Sequence, residues 1–207
     1  MTFVELLLRR NRGWPWPEDS WGLTPMYGED GWCRSCGAPL REQVGSLVLQ
    51  RRGMAQVAGA WVPNWRFDVF CVDDVLAERI RASFSADLLP VGWRGDPPGG
   101  AWQIVIPVVG SGWFDPEAIS AAAATRHATS GESCRACGRW RWMPVDLEEL
   151  PPPVPEVLRA ESDVIASPEW FGAGAKAFRH VLFRRELAEL IAAESPRDFT
   201  VVELSGR

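Results

Sequence analysis

Lysine is almost missing from this chain: Lys176 is the only one, and arginine supplies every other basic side chain. Acidic residues outnumber basic ones, 27 to 22, giving a formal net charge of −5. There is therefore no global basic field of the kind that draws a protein to nucleic acid or to an anionic membrane. No segment approaches the roughly 20 apolar residues that a membrane helix needs. The opening Met1-Thr2-Phe3-Val4-Glu5-Leu6-Leu7-Leu8-Arg9-Arg10 lacks a basic start, a long apolar run and a small-residue cleavage site, so it does not read as a signal peptide. These absences lead us to expect a cytoplasmic protein. Histidine is scarce as well. His127 and His180 have no ligand spacing to each other and no partner motif nearby, so no Ser/His/Asp or Cys/His arrangement is visible. Acidic pairs such as Asp73-Asp74 and Glu148-Glu149 read as solvated or capping residues, and no enzyme is expected. Tyrosine occurs once against twelve tryptophans. Surface tryptophan often marks an interface, but the favoured reading is that most of these rings fill a core.

What the chain does have is five cysteines, four of them in two near-identical pentapeptides. These are Cys33-Arg34-Ser35-Cys36-Gly37 and Cys134-Arg135-Ala136-Cys137-Gly138. In such a CxxCG knuckle the chain turns tightly and both sulfurs face one point. The glycine tolerates the positive φ that follows, and backbone N–H groups can point at the thiolates. Two knuckles supply four sulfurs, the tetrahedral set of a closed structural zinc site. In a reducing compartment paired cysteines suggest metal before disulfide, although a single CxxC can also be a redox pair. With all four positions taken by sulfur, such a zinc has no place for an activated water. We therefore expect one structural zinc held by Cys33, Cys36, Cys134 and Cys137. About a hundred residues separate the knuckles, so a sizeable insertion must connect them. Cys71 lies in the apolar run Phe67-Asp68-Val69-Phe70-Cys71-Val72 and reads as a small buried hydrophobe. His127 precedes Cys134 closely, but four cysteines leave no need for it as a ligand.

Each knuckle is followed by a similar stretch. Val69-Phe70-Cys71-Val72-Asp73-Asp74-Val75-Leu76-Ala77-Glu78-Arg79-Ile80 aligns with His180-Val181-Leu182-Phe183-Arg184-Arg185-Glu186-Leu187-Ala188-Glu189-Leu190-Ile191. Asp87 and Asp198 then each lead into a second apolar run. The expectation is a mixed α/β protein in one domain spanning residues 1–207. Its two pseudo-repeated halves, about 30–110 and 130–207, each have the order knuckle, strand, helix, strand, and they join at the four-cysteine site. The alignment pairs Cys71 with Leu182. Helical faces are read at Val75, Leu76 and Ile80 and at Leu187, Leu190 and Ile191. Asp73 is placed to cap the first helix, and Ser195-Pro196 to end the second. A strand is expected over Trp102–Val109. Asp115-Pro116-Glu117 marks a helix start that should run through Ala121–Ala124. The turn Gly110-Ser111-Gly112 between them lacks the further glycine or lysine of a phosphate cradle. The proline-rich stretch Leu150–Val157 reads as a stiff extended connector, and Trp14–Trp32 as loop.

The two CxxCG motifs, the strand-like Phe3-Val4-Glu5-Leu6 and the ending Glu169-Trp170-Phe171 … Leu187-Ala188-Glu189-Leu190 … Phe199-Thr200-Val201-Val202-Glu203-Leu204 together resemble the double-CXXCG motif family best known from myxobacteria. The segment Gly92–Ala124 carries no signature of that family. Some of its members are regarded as immunity proteins against contact-delivered toxins. The resemblance implies a zinc-containing protein that neutralises a cognate toxin by direct binding. An acidic chain suits a basic partner, because opposite fields speed association. The rival is a zinc-ribbon nucleic-acid binder. Arg34, Arg135, Arg139 and Arg141 flank the knuckles, and Trp140 and Trp142 can stack on bases. The alternation Arg139-Trp140-Arg141-Trp142 reads equally well as a half-exposed strand, which is the preferred interpretation.

Overall fold

A computed structural model describes residues 2–13, 15–50, 58–146 and 149–204; Trp14 and Glu148 lie outside them. The fold is mixed α+β. One four-stranded sheet has the order β10 (Val164–Ala166), β11 (Val181–Arg184), β1 (Phe3–Leu8), β12 (Phe199–Glu203). A second has the order β3 (Ala60–Trp61), β4 (Cys71–Val72), β7 (Trp102–Ile104), β5 (Leu88–Pro90). Every neighbouring pair in both is antiparallel. Two smaller pairings are the parallel β2 (Val48–Leu49) with β6 (Gly92–Trp93) and the hairpin of β8 (Gly131–Ser133) with β9 (Trp140–Trp142). The helices are α1 (Leu23–Tyr27), α2 (Asp74–Ser83), α3 (Pro116–His127) and α4 (Arg185–Glu194).

The segments β4–α2–β5 and β11–α4–β12 follow the strand–helix–strand order read from the sequence. The two strands of each segment do not pair with each other. A third strand lies between them: β7 in one sheet and the N-terminal β1 in the other. A unit read along consecutive residues misses that strand. Alternation along the strands divides the apolar residues. Val72 and Phe183 point into a shared core with Leu76, Ile80, Leu187 and Phe199. There Phe70 packs edge-on against Phe183, with ring centroids 4.9 Å apart. Cys71 and Leu182 point the other way, into two outer clusters around Trp61 and Phe171. Both sheets and both long amphipathic helices thus contribute to one core.

The helix signals were accurate at the caps. The Asp73 carboxylate accepts from the Leu76 amide at 2.9 Å and starts α2. Asp115 accepts from the Ala118 amide at 2.8 Å, with Pro116 in the first turn of α3. α4 stops at Glu194, directly before Ser195-Pro196. The faces differ from expectation by one position. α2 buries Leu76, Ala77 and Ile80 and leaves Val75 exposed, while α4 buries Leu187, Ala188 and Ile191 and leaves Leu190 only half-buried. Both alanines are fully buried in the shared core.

Two expectations need correction. The strand foreseen over Trp102–Val109 ends at Ile104, because Pro107 has no N–H for a ladder. The chain crosses there from the second sheet to the edge of the first: Ala166 donates to the Pro107 carbonyl at 2.9 Å, and Val109 to the Ala166 carbonyl at 3.1 Å. The stretch Trp14–Trp32, read as loop, contains the short helix α1. The proline-rich connector lies against the body, where the Val154 amide donates to the Trp113 carbonyl at 2.8 Å, and it ends in a single 3-10 turn at Val157–Arg159. Among the described residues, no helix is long and apolar enough to cross a membrane.

Candidate metal centre

Both knuckles are built in the same way. Cys33 donates to the Ala38 carbonyl at 2.9 Å, and Gly37 donates back to the Cys33 carbonyl at 2.8 Å. In the second, Cys134 donates to the Arg139 carbonyl at 2.9 Å and Gly138 to the Cys134 carbonyl at 2.8 Å. The trailing glycines take φ of 75° and 74°, values a side chain disfavours. The second knuckle is the turn of the β8–β9 hairpin. The first is closed by a bridge between Trp32 and Pro39.

This geometry brings the four sulfurs together, all within 4.8 Å of one another. Between the knuckles, Cys33 Sγ lies 3.8 Å from Cys134 Sγ, and Cys36 Sγ 3.7 Å from Cys137 Sγ. These are far longer than the roughly 2.05 Å of a disulfide, and all five cysteines are free. A regular tetrahedron with zinc–sulfur bonds of about 2.3 Å has edges of about 3.8 Å, so the four thiols fit a tetrahedral metal ion. Backbone N–H groups of Cys137 and Ala136 lower the Cys134 thiol to about 6. Burial pushes Cys36 up to about 12, with the Ala38 backbone N–H working against it. A metal ion must displace protons from thiols like Cys36, so binding strengthens as pH rises. Trp170, Ala38 and Ala177 pack around the sulfurs, and the guanidiniums of Arg179 and Arg139 lie 4.3 and 6.0 Å from the Trp170 ring centroid. Trp170 stood out in the sequence only through its place in the C-terminal motif; its position against the sulfurs follows from long-range packing.

The other cysteine and the histidines stand apart from this cluster. Cys71 is fully buried beside Trp61, and burial raises its thiol pKa. His127 Nε2 lies 2.6 Å from the Pro144 carbonyl. His180 is buried among Phe114, Phe171 and Phe178, which pushes its pKa down to about 4. At the turn after Gly110-Ser111-Gly112, the Trp113 amide donates to the Glu169 carboxylate at 2.6 Å. That amide is therefore already paired with an internal acid.

The flanking residues sort differently from their order in sequence. Arg34 pairs with Glu29 at 2.5 Å and lies over Trp32. Arg141 is buried and pairs with Glu132 at 2.6 Å, whereas Trp140 is 40% exposed. The strand after the second knuckle is thus half-exposed as expected, but with the arginine inward. Five tryptophans (32, 61, 93, 113 and 170) are buried, and only Trp21 and Trp140 count as exposed among the described residues. The chain matches no family model and no curated protein.

Proposed function

We propose that this protein holds one structural zinc ion through Cys33, Cys36, Cys134 and Cys137, and that it acts as a non-enzymatic binding protein that neutralises a cognate toxin. The observation that carries the zinc reading is the pair of sulfur separations, 3.7 and 3.8 Å, at the edge length of a zinc–thiolate tetrahedron. Four thiolates on zinc leave no coordination position for water, so the metal would hold the two knuckles together rather than act on a substrate. The partner class rests on the resemblance to the double-CXXCG motif proteins. The net charge of −5 and the exposed Trp21 and Trp140 are compatible with it.

The test is co-expression with a toxin gene adjacent to its own, read as growth. Protection is expected from the wild type and not from Cys33→Ser. Equal killing with and without the protein refutes the toxin reading. Trp140 exposed beside Arg139 favours the nucleic-acid alternative, but two of its four arginines, Arg34 and Arg141, are already engaged by carboxylates. Retention of DNA or RNA at physiological salt would establish that alternative in place of the toxin reading.

A further inference from the structure

Beside the cysteine cluster two hollows adjoin, of about 580 and about 400 Å³, sharing Val108, Arg139 and Arg179. Residues 39–43, after the first knuckle, line the larger hollow, Trp140 and Trp142, after the second, line the smaller, and Arg139 lines both, so the groove lies beside the junction that the cysteines make. Three large apolar side chains stand exposed along it: Leu40 (48%), Val108 (42%) and Trp140 (40%).

The charged lining is unbalanced. Arg41 is tied to the Tyr27 carbonyl at 2.7 Å. Arg139 and Arg179 lie against the Trp170 ring and make no ion pair among the described residues. The Nε of Arg179 is buried without a hydrogen-bond partner. Burial lowers its pKa, a cost that the fields of Asp68 and Tyr27 only partly oppose. Two acids line the groove, Glu42 and Glu169, and Glu169 is engaged by the Trp113 amide. A buried guanidinium N–H left without an acceptor is costly, and a carboxylate from outside satisfies it with charge-assisted hydrogen bonds. On a chain of net charge −5, this groove selects the opposite sign from the surface as a whole.

We propose that the groove takes an extended segment of a protein partner in which an Asp or Glu lies among apolar residues. The carboxylate meets Arg139 and Arg179, and its apolar neighbours cover Leu40, Val108 and Trp140. The inference rests on the reading of the chain as a partner-binding protein and adds where the partner docks and by what chemistry. Leu40 and Val108 offer nothing to a sugar–phosphate backbone, which makes a peptide the better occupant.

The test is selection of a random 12-residue peptide library on the zinc-loaded full chain. Enriched peptides should carry Asp or Glu next to apolar residues. A synthetic copy should bind about 10-fold more weakly to Arg139→Glu and to Trp140→Ala. It should bind equally to Val75→Asp, a change at an exposed position of α2 outside the groove. Zinc content and melting should match the wild type in each variant, and Arg139→Gln replaces Arg139→Glu if the reversal disturbs either. Peptides without carboxylates, no enrichment, or equal binding to the groove variants overturns the proposal. Binding of a labelled single-stranded DNA 20-mer that is lost in the same variants also overturns it, by assigning the groove to nucleic acid. The selection involves no toxin, so its failure and a failure of growth protection are separate results.

Discussion

Glu5 sits in the middle strand of the first sheet, opposite Leu182 on one side and Val202 on the other. It lines a cavity of about 60 Å³ with Trp113, Phe114 and His180, and its carboxyl group makes no hydrogen bond or ion pair among the described residues. Burial pushes its carboxyl from the ordinary 4.5 up to about 7. Between those two values the folded chain binds more protons than the unfolded one, so stability falls as pH rises and the full cost is present above the folded pKa. At 1.36 kcal/mol per pH unit the shift amounts to about 3 kcal/mol. Glu5→Gln removes the charge and keeps the shape. Measured by urea denaturation with zinc retained, the variant should gain on the wild type by about 2 kcal/mol between about pH 5.5 and pH 8.5. A difference between the two proteins that does not change with pH would refute the argument, because it would mean that Glu5 is solvated or paired in the folded state.

Native mass spectrometry should find one zinc per chain in the wild type and none in Cys33→Ser, and chelation should lower or abolish the melting transition, since structural zinc couples to folding; a metal-free protein with four reduced thiols and unchanged melting would count against the site. Cys71→Ala should keep its zinc and lose about 1 kcal/mol of stability, as a small truncation in the cluster around Trp61 does; loss of zinc would make Cys71 a ligand. Asp198, with a side chain only 3% exposed, accepts from Arg10 at 3.0 Å and pairs with Arg12. Burial acts to raise its pKa, but the hydrogen bonds and charges of Arg12 and Arg10 outweigh it and hold the carboxyl below the ordinary value. Its stabilisation is therefore present above the ordinary carboxylate pKa and is lost as pH falls through the lowered one. Asp198→Asn should cost about 1–3 kcal/mol near neutral pH and little in strong acid, as measured by denaturation at both.

The cysteine cluster was legible because its signal is local and repeated: each CxxCG sets its own turn, and the glycine φ of 75° and 74° follows from residue type. The caps at Asp73 and Asp115 were legible for the same reason. Sheet order was not. Nothing in Phe3–Leu8 says that it will lie between β11 and β12, because strand pairing depends on packing between residues far apart in sequence. The pattern Arg-Trp-Arg-Trp predicted a strand but not which face would be buried. The strand buries Arg141, which pairs with the exposed Glu132 across the hairpin, and leaves Trp140 outside. The helix α1 was missed because five residues are too few to show a period.

The position of β1 sets a timetable for synthesis. It leaves the ribosome long before either of its neighbours, which lie some 180 residues further along the chain, with Val4 opposite Phe183 and Glu203. Until those arrive, its apolar residues must stay uncovered or be held by something else. The second sheet, drawn entirely from Ala60–Ile104, has all its strands before β10, β11 and β12 emerge and offers an earlier surface on which Val4 and Leu6 can rest. The first knuckle likewise waits about a hundred residues for its partner. A ribosome stalled after β7 would therefore carry a chain with one sheet complete, half a metal site and an orphan strand. That exposed intermediate is the point at which a high-contact-order protein is most open to aggregation.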